Sequence, residues 1–194
     1  MNTLWRPRVL GAWQVPATGP VILAVNHAHN VDGPMLMGTA PRPVHFLIKK
    51  EAFIGPLNPF LTGIGQLKVD RSTADRAAVT NALGVLENGG VLGIFPEGTR
   101  GGGDFSSIRA GLAYFAVRSG APIVPVAVLG SERGGRLIRA LPPLRSRFDI
   151  VFGEPFHPGD GSGRRTRKAL DEATVRIQER LTAHLENAKR LSGR

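Results

Sequence analysis

Six short runs rich in Val, Ile and Leu recur along this chain: "VILAV" (21–25), "VHFLI" (44–48), "GQLKV" (65–69), "VLGIF" (91–95), "IVPVAVL" (123–129) and "FDIVF" (148–152). Each has the length of a strand, and near-continuous apolar runs suit strands that are covered on both faces. Helical spacing fills the gaps between them. In "STADRAAVTNALGVLENGG" the apolar residues Ala78, Val79, Ala82, Leu83 and Leu86 share one face, Ser72 or Thr73 stands as N-cap and Gly89 as C-cap. "SSIRAGLAYFAVRSG" (106–120) reads as a second helix. A third, over about 165–190, carries Leu170, Ala173, Ile177, Leu181, Leu185 and Ala188 at helical intervals behind a basic lead-in. Strands alternating with helices predict an α/β fold: a sheet of about six or seven mostly parallel strands with helices on both faces. At 194 residues, with no internal repeat and no linker, the chain is expected to form a single domain. In such a sheet, the loops leaving the C-terminal ends of strands are where a site is to be sought.

Composition narrows the possible chemistry. The absence of cysteine excludes disulfides, thiolate metal sites and a cysteine nucleophile. The formal charge of +10 calls for an anionic partner, either nucleic acid, a phosphate-bearing substrate or an acidic membrane surface. Residues 1–132 hold 11 Lys and Arg against 8 acids, a net of +3, while residues 133–194 hold 14 against 7, a net of +7. A nucleic-acid module needs basic residues interleaved with exposed aromatics, whereas only 6% of residues here are aromatic and the Phe residues lie largely in apolar runs. The start "MNTLWRPRVLGAW" has no signal-peptide pattern. The longest apolar stretches, such as "APIVPVAVLG", reach about half of the roughly 20 residues a spanning helix requires. No transmembrane helix is expected.

Four loops carry the chemistry. In "VNHAHNVDGP" (25–34) a buried strand ends by presenting Asn26, His27, His29 and Asp32. Gly33-Pro34 announces a helix with Pro34 in its first turn and Asp32 as N-cap. The loop can fold back so that the Asp32 carboxylate takes one ring nitrogen of His27 and leaves the other as a base. This is the His-Asp half of a hydrolase triad. "G-x-S-x-G" does not occur, so a substrate hydroxyl would serve as nucleophile, and attack on a thioester would transfer an acyl group in one step. In "IFPEGTR" (94–100) a strand opens into Glu97, Gly98, Thr99 and Arg100, where backbone N–H groups, a hydroxyl and a guanidinium fork could receive an oxyanion or phosphate. "GQLKVDRS" delivers Arg71 at another strand end. In "IVPVAVLGS" Pro125 removes a ladder donor, which implies an edge strand or a bulge.

Taken in this order, "NHAHNVD", "GQLKVDR", "FPEGTR" and "VPV" resemble the motif blocks of the 1-acylglycerol-3-phosphate acyltransferases, a glycerolipid acyltransferase family. "FLIKKEAF" (46–53) and "IRAGLAYFA" (108–116) look like further segments of that family, and the resemblance covers about 21–155. It implies His27 as general base, Asp32 as its orienting partner, and Arg71, Glu97, Gly98, Thr99 and Arg100 as the acceptor-binding set. Pro125 takes an acyl-donor or structural role.

The implied reaction moves a fatty acyl group from acyl-CoA or acyl carrier protein, as co-substrate, to the free hydroxyl of lysophosphatidate. It gives phosphatidate with no metal or other cofactor. Glycerol 3-phosphate or a different lysolipid is the alternative acceptor, and a basic nucleic-acid-binding module the remote alternative. The partners expected are an anionic membrane surface and a lysophospholipid, with no nucleic acid. The expected location is cytoplasmic, peripheral to the inner face of the cell membrane. Departures from the family pattern are His29 and Gly101, each where many members carry Ser, and Arg109 in place of the more usual Lys. Many members also begin with a membrane-binding helical segment, whereas about 20 residues precede the first expected strand here.

Overall fold

The structure is a computed structural model, and it describes residues 5–70, 72, 75–98, 103–131, 145–159 and 166–193. Its strands are β1 (Arg6–Leu10), β2 (Val21–Val25), β3 (Val44–Lys49), β4 (Leu67–Val69), β5 (Val91–Ile94), β6 (Ile123–Leu129) and β7 (Arg147–Phe152). They form one sheet in the order β1-β7-β6-β2-β5-β3-β4. The five strands from β6 to β4 run parallel, β7 runs antiparallel to β6, and β1 pairs parallel with β7. The helices are α1 (Asp32–Met37), α2 (Leu57–Gly63), α3 (Arg76–Glu87), α4 (Gly111–Ser119) and α5 (Arg167–Ser192). The expected mostly parallel sheet with helices on both faces is borne out.

Burial on both faces explains the unbroken apolar runs. All five residues of β2 are buried. Ile22 and Ala24 pack with α3, α4 and α5, whereas Val21, Leu23 and Val25 pack on the opposite face with Met35 and Leu36 of α1. The strand period of two thus sends alternate side chains into two separate cores. In α5, Ala173, Ile177, Leu181, Leu185 and Ala188 are buried, and Thr166 caps the helix by accepting from the Ala169 amide at 3.2 Å. At about 1.5–3 kcal/mol for each large aliphatic side chain, this stripe anchors the helix to the sheet.

Several boundaries differ from the sequence expectation, each for a local reason. The expected run 65–69 shortens to β4 because the Gln66 side chain takes over part of the pairing, accepting from the Phe46 amide and donating to the Val44 carbonyl. Asp75, not Ser72, caps α3 by accepting from the Ala78 amide; Thr73 lies outside the described residues. At the other end Asn88 is the cap and Gly89 follows it at φ +72°. The helix expected from 106 begins only at Gly111, because Phe105 turns into the core at φ 58° and Gln178 of α5 binds the Phe105 and Ser106 carbonyls.

Strand β1 has no counterpart among the expected runs. Two arginines and Pro7 break its apolar pattern, which only a sheet edge tolerates. Arg8 holds it in place through the buried Asp149 of β7, at 3.0 Å.

Pro125 was expected at an edge or a bulge. The edge reading is wrong, since β6 lies between β7 and β2. The bulge is present: β6 pairs Ala127 with Val151 but Ile123 with Phe156, so the register slips by one residue beside Pro125. The Gly153 amide donates to the Pro125 carbonyl at 2.8 Å within that irregularity.

Candidate active site

Two parallel neighbours bring the first and third motif loops together. Because Ala24 of β2 is paired with Ile94 of β5, the residues that leave these strands emerge side by side. The His27 amide then meets the Glu97 carboxylate, donating to Oε1 at 3.2 Å. On the other side of β2, the buried Asn26 side chain closes a double hydrogen bond with the backbone of Val128, accepting from its amide at 2.7 Å and donating to its carbonyl at 3.1 Å. Asn26 therefore fixes the end of β2 to β6, and His27 begins from an immobilised backbone.

The loop folds back as its spacing suggested, although Asp32 does not cap the helix. Val31 occupies the N-cap and Asp32 is the first helical residue. Its carboxylate, fully buried, turns back over the loop. Oδ2 accepts from the Ala28 amide at 2.9 Å and from the His29 amide at 2.7 Å, and lies 3.2 Å from Nδ1 of His27. One oxygen thus organises three consecutive residues. Such an arrangement fixes the imidazole with Nδ1 inward, and Nε2 of His27 has no hydrogen-bond partner among the described residues. Among the described residues the His29 ring makes no hydrogen bond to Asp32; only its amide does.

Aromatic packing completes the cradle. The His27 ring stacks on Phe95 with centroids 4.1 Å apart, and Phe95 stacks in turn on Phe46 at 5.3 Å. Gly33 sits against the same ring, with space for a Cβ only at contact distance from Phe95. His27, Phe95 and Phe46 line a cavity of about 890 Å³ that continues past Pro34 and Met37 to Leu57 and Leu61 of α2. Its lining is predominantly apolar, with His27 contributing part of the wall.

Glu97 and Gly98 shape the neighbouring turn. Burial pushes the Glu97 carboxyl up from its ordinary range, against the His27 amide that favours its ionised form. Gly98 adopts φ +71°, and its amide donates to the Phe95 carbonyl at 3.0 Å. That N–H closes the turn. Any Cβ at Gly98 would lie 2.3 Å from Nε of Arg109, so the glycine leaves room for that guanidinium to pack across the loop. Gly103 similarly lies against Ala28 and Asn26. Arg71, Thr99, Arg100 and Gly101 lie outside the described residues. Pro125 is in the sheet interior and does not line the cavity.

Sequence reasoning missed the part played by Phe95, which it took as the last residue of a strand. Its place immediately before "PEGTR" and level with the end of β2 is the signal that could have found it.

The Acyltransferase family model matches residues 6–129, nearly two thirds of the chain. The chain belongs to that family. The match spans both site loops and ends at β6. A 1-acyl-sn-glycerol-3-phosphate acyltransferase of Bacillus subtilis (strain 168) is 29% identical over 182 residues, covering 93% of this chain and 88% of its own. One from Borreliella burgdorferi is 32% identical over 128 residues, 64% of this chain and 51% of its own, so the match spans about half that relative. The crystal structure of the 1-acyl-sn-glycerophosphate (LPA) acyltransferase PlsC from Thermotoga maritima superposes with a TM-score of 0.72 at 22% identity, covering 95% of this chain and 73% of that one. At that identity the likeness is one of fold. The acyltransferase assignment agrees with the family resemblance of its motifs.

Proposed function

We propose that this acyltransferase moves a fatty acyl group from acyl-CoA or acyl carrier protein to the free hydroxyl of 1-acylglycerol 3-phosphate, giving phosphatidate and a free thiol. The observation that carries the reading is the His27 ring, held at Nδ1 by buried Asp32 and presented to an apolar cavity of about 890 Å³. Nε2 takes the proton of the acceptor hydroxyl as its oxygen attacks the thioester carbonyl. Collapse of the tetrahedral intermediate breaks the C–S bond, and the same proton passes from Nε2 to the leaving thiolate. Asp32 keeps the ring oriented and stabilises its transient positive charge, as in other His-Asp pairs. The cavity takes apolar chain from the substrates, with the reacting carbonyl at its His27 end.

Arg71, Glu97, Gly98, Thr99 and Arg100 form the acceptor-binding set in this proposal, on the strength of their motif positions. The two arginines suit a phosphate fork. Arg109, packed across Gly98, adds a guanidinium at that turn. Pro125 acts structurally through the bulge it occupies. The enzyme works peripherally on an anionic membrane face in the cytoplasm, where its lipid acceptor resides. Among the described residues no helix is long and apolar enough to cross a membrane.

The test is a thiol-release assay of purified protein with both donors against lysophosphatidate, glycerol 3-phosphate and other lysolipids. The highest kcat/KM is expected with lysophosphatidate. A higher value with glycerol 3-phosphate would move the assignment to that acceptor, and thiol release unaffected by any acceptor would exclude the transfer.

A further inference from the structure

Helix α2 buries none of its residues. A short helix with no buried face has little reason to persist in water, since packing of an apolar face supplies most helical stability. Its apolar side chains nevertheless form a stripe: Leu57, Phe60, Leu61 and Ile64 recur at i, i+3, i+4 and i+7. Ile54, just before the helix, is 65% exposed, Phe60 is 59% exposed and Leu57 49%. These are among the largest exposures of apolar residues in the described chain. Unlike scattered surface aliphatics, they are neighbours on one element, which marks an interaction surface.

The same helix walls the cavity at His27. Leu57 and Leu61 belong to the stripe and also line that cavity, so the exposed stripe runs directly into the cavity wall. An apolar molecule lying along this stripe is already beside the cavity. Lys49, Lys50 and Lys68 border the patch and are exposed; Glu51, Asp70 and Asp75 are the nearby acids, with Asp70 paired to Lys50 and Asp75 turned inward to the Asp70 and Ala78 amides. The Lys68 ammonium lies over the Phe53 ring at 4.9 Å to its centroid. An apolar stripe with a lysine border is the pattern of an interfacial helix, whose apolar residues enter the acyl boundary while its cations meet headgroups. A second copy of the chain would instead set like-charged lysine borders against each other.

We infer that Ile54 and α2 form the membrane-inserting surface of this enzyme, seated in the headgroup and acyl boundary of an anionic lipid leaflet, and that lipid passes beside Leu57 and Leu61 into the His27 cavity. This rests on the proposed lipid acceptor and specifies where the enzyme meets it. The bilayer lies at the β3–β4 edge of the sheet, beyond the ends of the parallel strands. This places the membrane contact outside residues 133–194, which carry most of the net positive charge. Trp13, 81% exposed, belongs to the turn after β1, which runs opposite to β2, and so sits at the far end of the sheet from His27.

Because the chain has no cysteine, single cysteines can be placed without background. Ile54→Cys, Phe60→Cys and Ile64→Cys, each labelled with an environment-sensitive fluorophore, are compared with Trp13→Cys and Val175→Cys. The vesicles are phosphatidylcholine containing phosphatidylglycerol. The emission at 54, 60 and 64 is expected to shift to the blue and rise, while that at 13 and 175 stays unchanged. In sedimentation with the same vesicles, the double variant Ile54→Ser/Phe60→Ser should bind at least about tenfold more weakly, having lost two large apolar side chains from the boundary.

The double variant should keep its turnover on a short-chain lysophosphatidate below its micellar concentration. That readout separates the two proposals, because loss of all turnover in the unmodified enzyme would defeat the acceptor assignment whatever the labels report. Unshifted labels at 54, 60 and 64 with vesicles sedimenting the protein, or undiminished sedimentation of the double variant, would overturn the inference. So would concentration-dependent self-association without vesicles that the double variant abolishes, which would assign the patch to a second copy.

Discussion

Asp32 Oδ2 lies 3.2 Å from Nδ1 of His27 and simultaneously accepts the amides of Ala28 and His29. Ring orientation and loop conformation therefore depend on one oxygen atom. Substituting Asp32 should separate into two effects according to what replaces it. Asp32→Ala removes the acceptor from two backbone amides and is expected to cost about 2–4 kcal/mol, at roughly 1–2 per amide stranded, together with nearly all activity. Asp32→Asn can retain one carbonyl oxygen for the amides, so it should keep most of the stability while kcat falls roughly 100-fold or more. Thermal melts and thiol-release kinetics of the two variants distinguish these outcomes; equal stability losses would show that the loop does not rest on the carboxylate.

Phe95 supports His27 from the side, at 4.1 Å between centroids. Phe95→Ala leaves the imidazole tethered only through Nδ1 and should lower kcat more than it raises KM, since a tilted base is misaligned in the transition state. Phe95→Leu should recover the stability but only part of the turnover. Unchanged kcat in Phe95→Ala would show that the stack has no part in orienting the ring.

Gly98→Ala meets two obstacles: a left-handed backbone at φ +71° and a Cβ 2.3 Å from the Arg109 side chain. The backbone alone costs roughly 1–2 kcal/mol. The displaced guanidinium should also weaken acceptor binding, so KM for the phosphate-bearing acceptor rises. Arg109→Ala in the Gly98→Ala background should restore stability in part but not KM. A KM that stays at the unmodified value in Gly98→Ala would remove Arg109 from the acceptor side.

The strand core was legible because β2, β5 and β6 are buried on both faces and their apolar runs are uninterrupted. Strand β1 was not, since Arg8 can stand in a strand only once Asp149 of β7 is there to receive it, and that partner is 141 positions away. Alone, a histidine and a capping aspartate at a strand end read as structural; His27 and Asp32 were legible as a pair because the four motif blocks occur in register. The location of Asp32 in the helix was misjudged because local capping chemistry competes with three acceptor contacts that only the folded loop creates. Phe95 was hidden by its own hydrophobicity: an aromatic at a strand end reads as core until the neighbouring strand brings a histidine over it. Helix α2 was obscured by Pro56, Pro59 and Gly63, which suggest a turn.

His184 links stability to pH. It lies largely buried between α5 and β7, with Nε2 3.0 Å from the Val151 carbonyl oxygen. Burial lowers its pKa below the ordinary 6.5, against the raising influence of that hydrogen bond. The unfolded imidazole therefore takes a proton at higher pH than the folded one, so stability falls as pH drops below about 6.5 until the folded group also titrates. His184→Gln removes this contribution. Its Tm should decline less than that of the unmodified protein between about pH 7 and pH 5. Parallel declines would show that His184 does not drive the change.

The central claim is that His27, and not its neighbour His29, removes the acceptor proton. The most direct measurement is single-turnover thiol release with lysophosphatidate for His27→Ala and His29→Ala, each checked for an unchanged fold by circular dichroism. His27→Ala should lose roughly 100-fold or more in rate, the scale of a lost general base, while His29→Ala keeps most of its activity because only its amide engages Asp32. Near-normal release by folded His27→Ala, with loss in His29→Ala, would contradict the account.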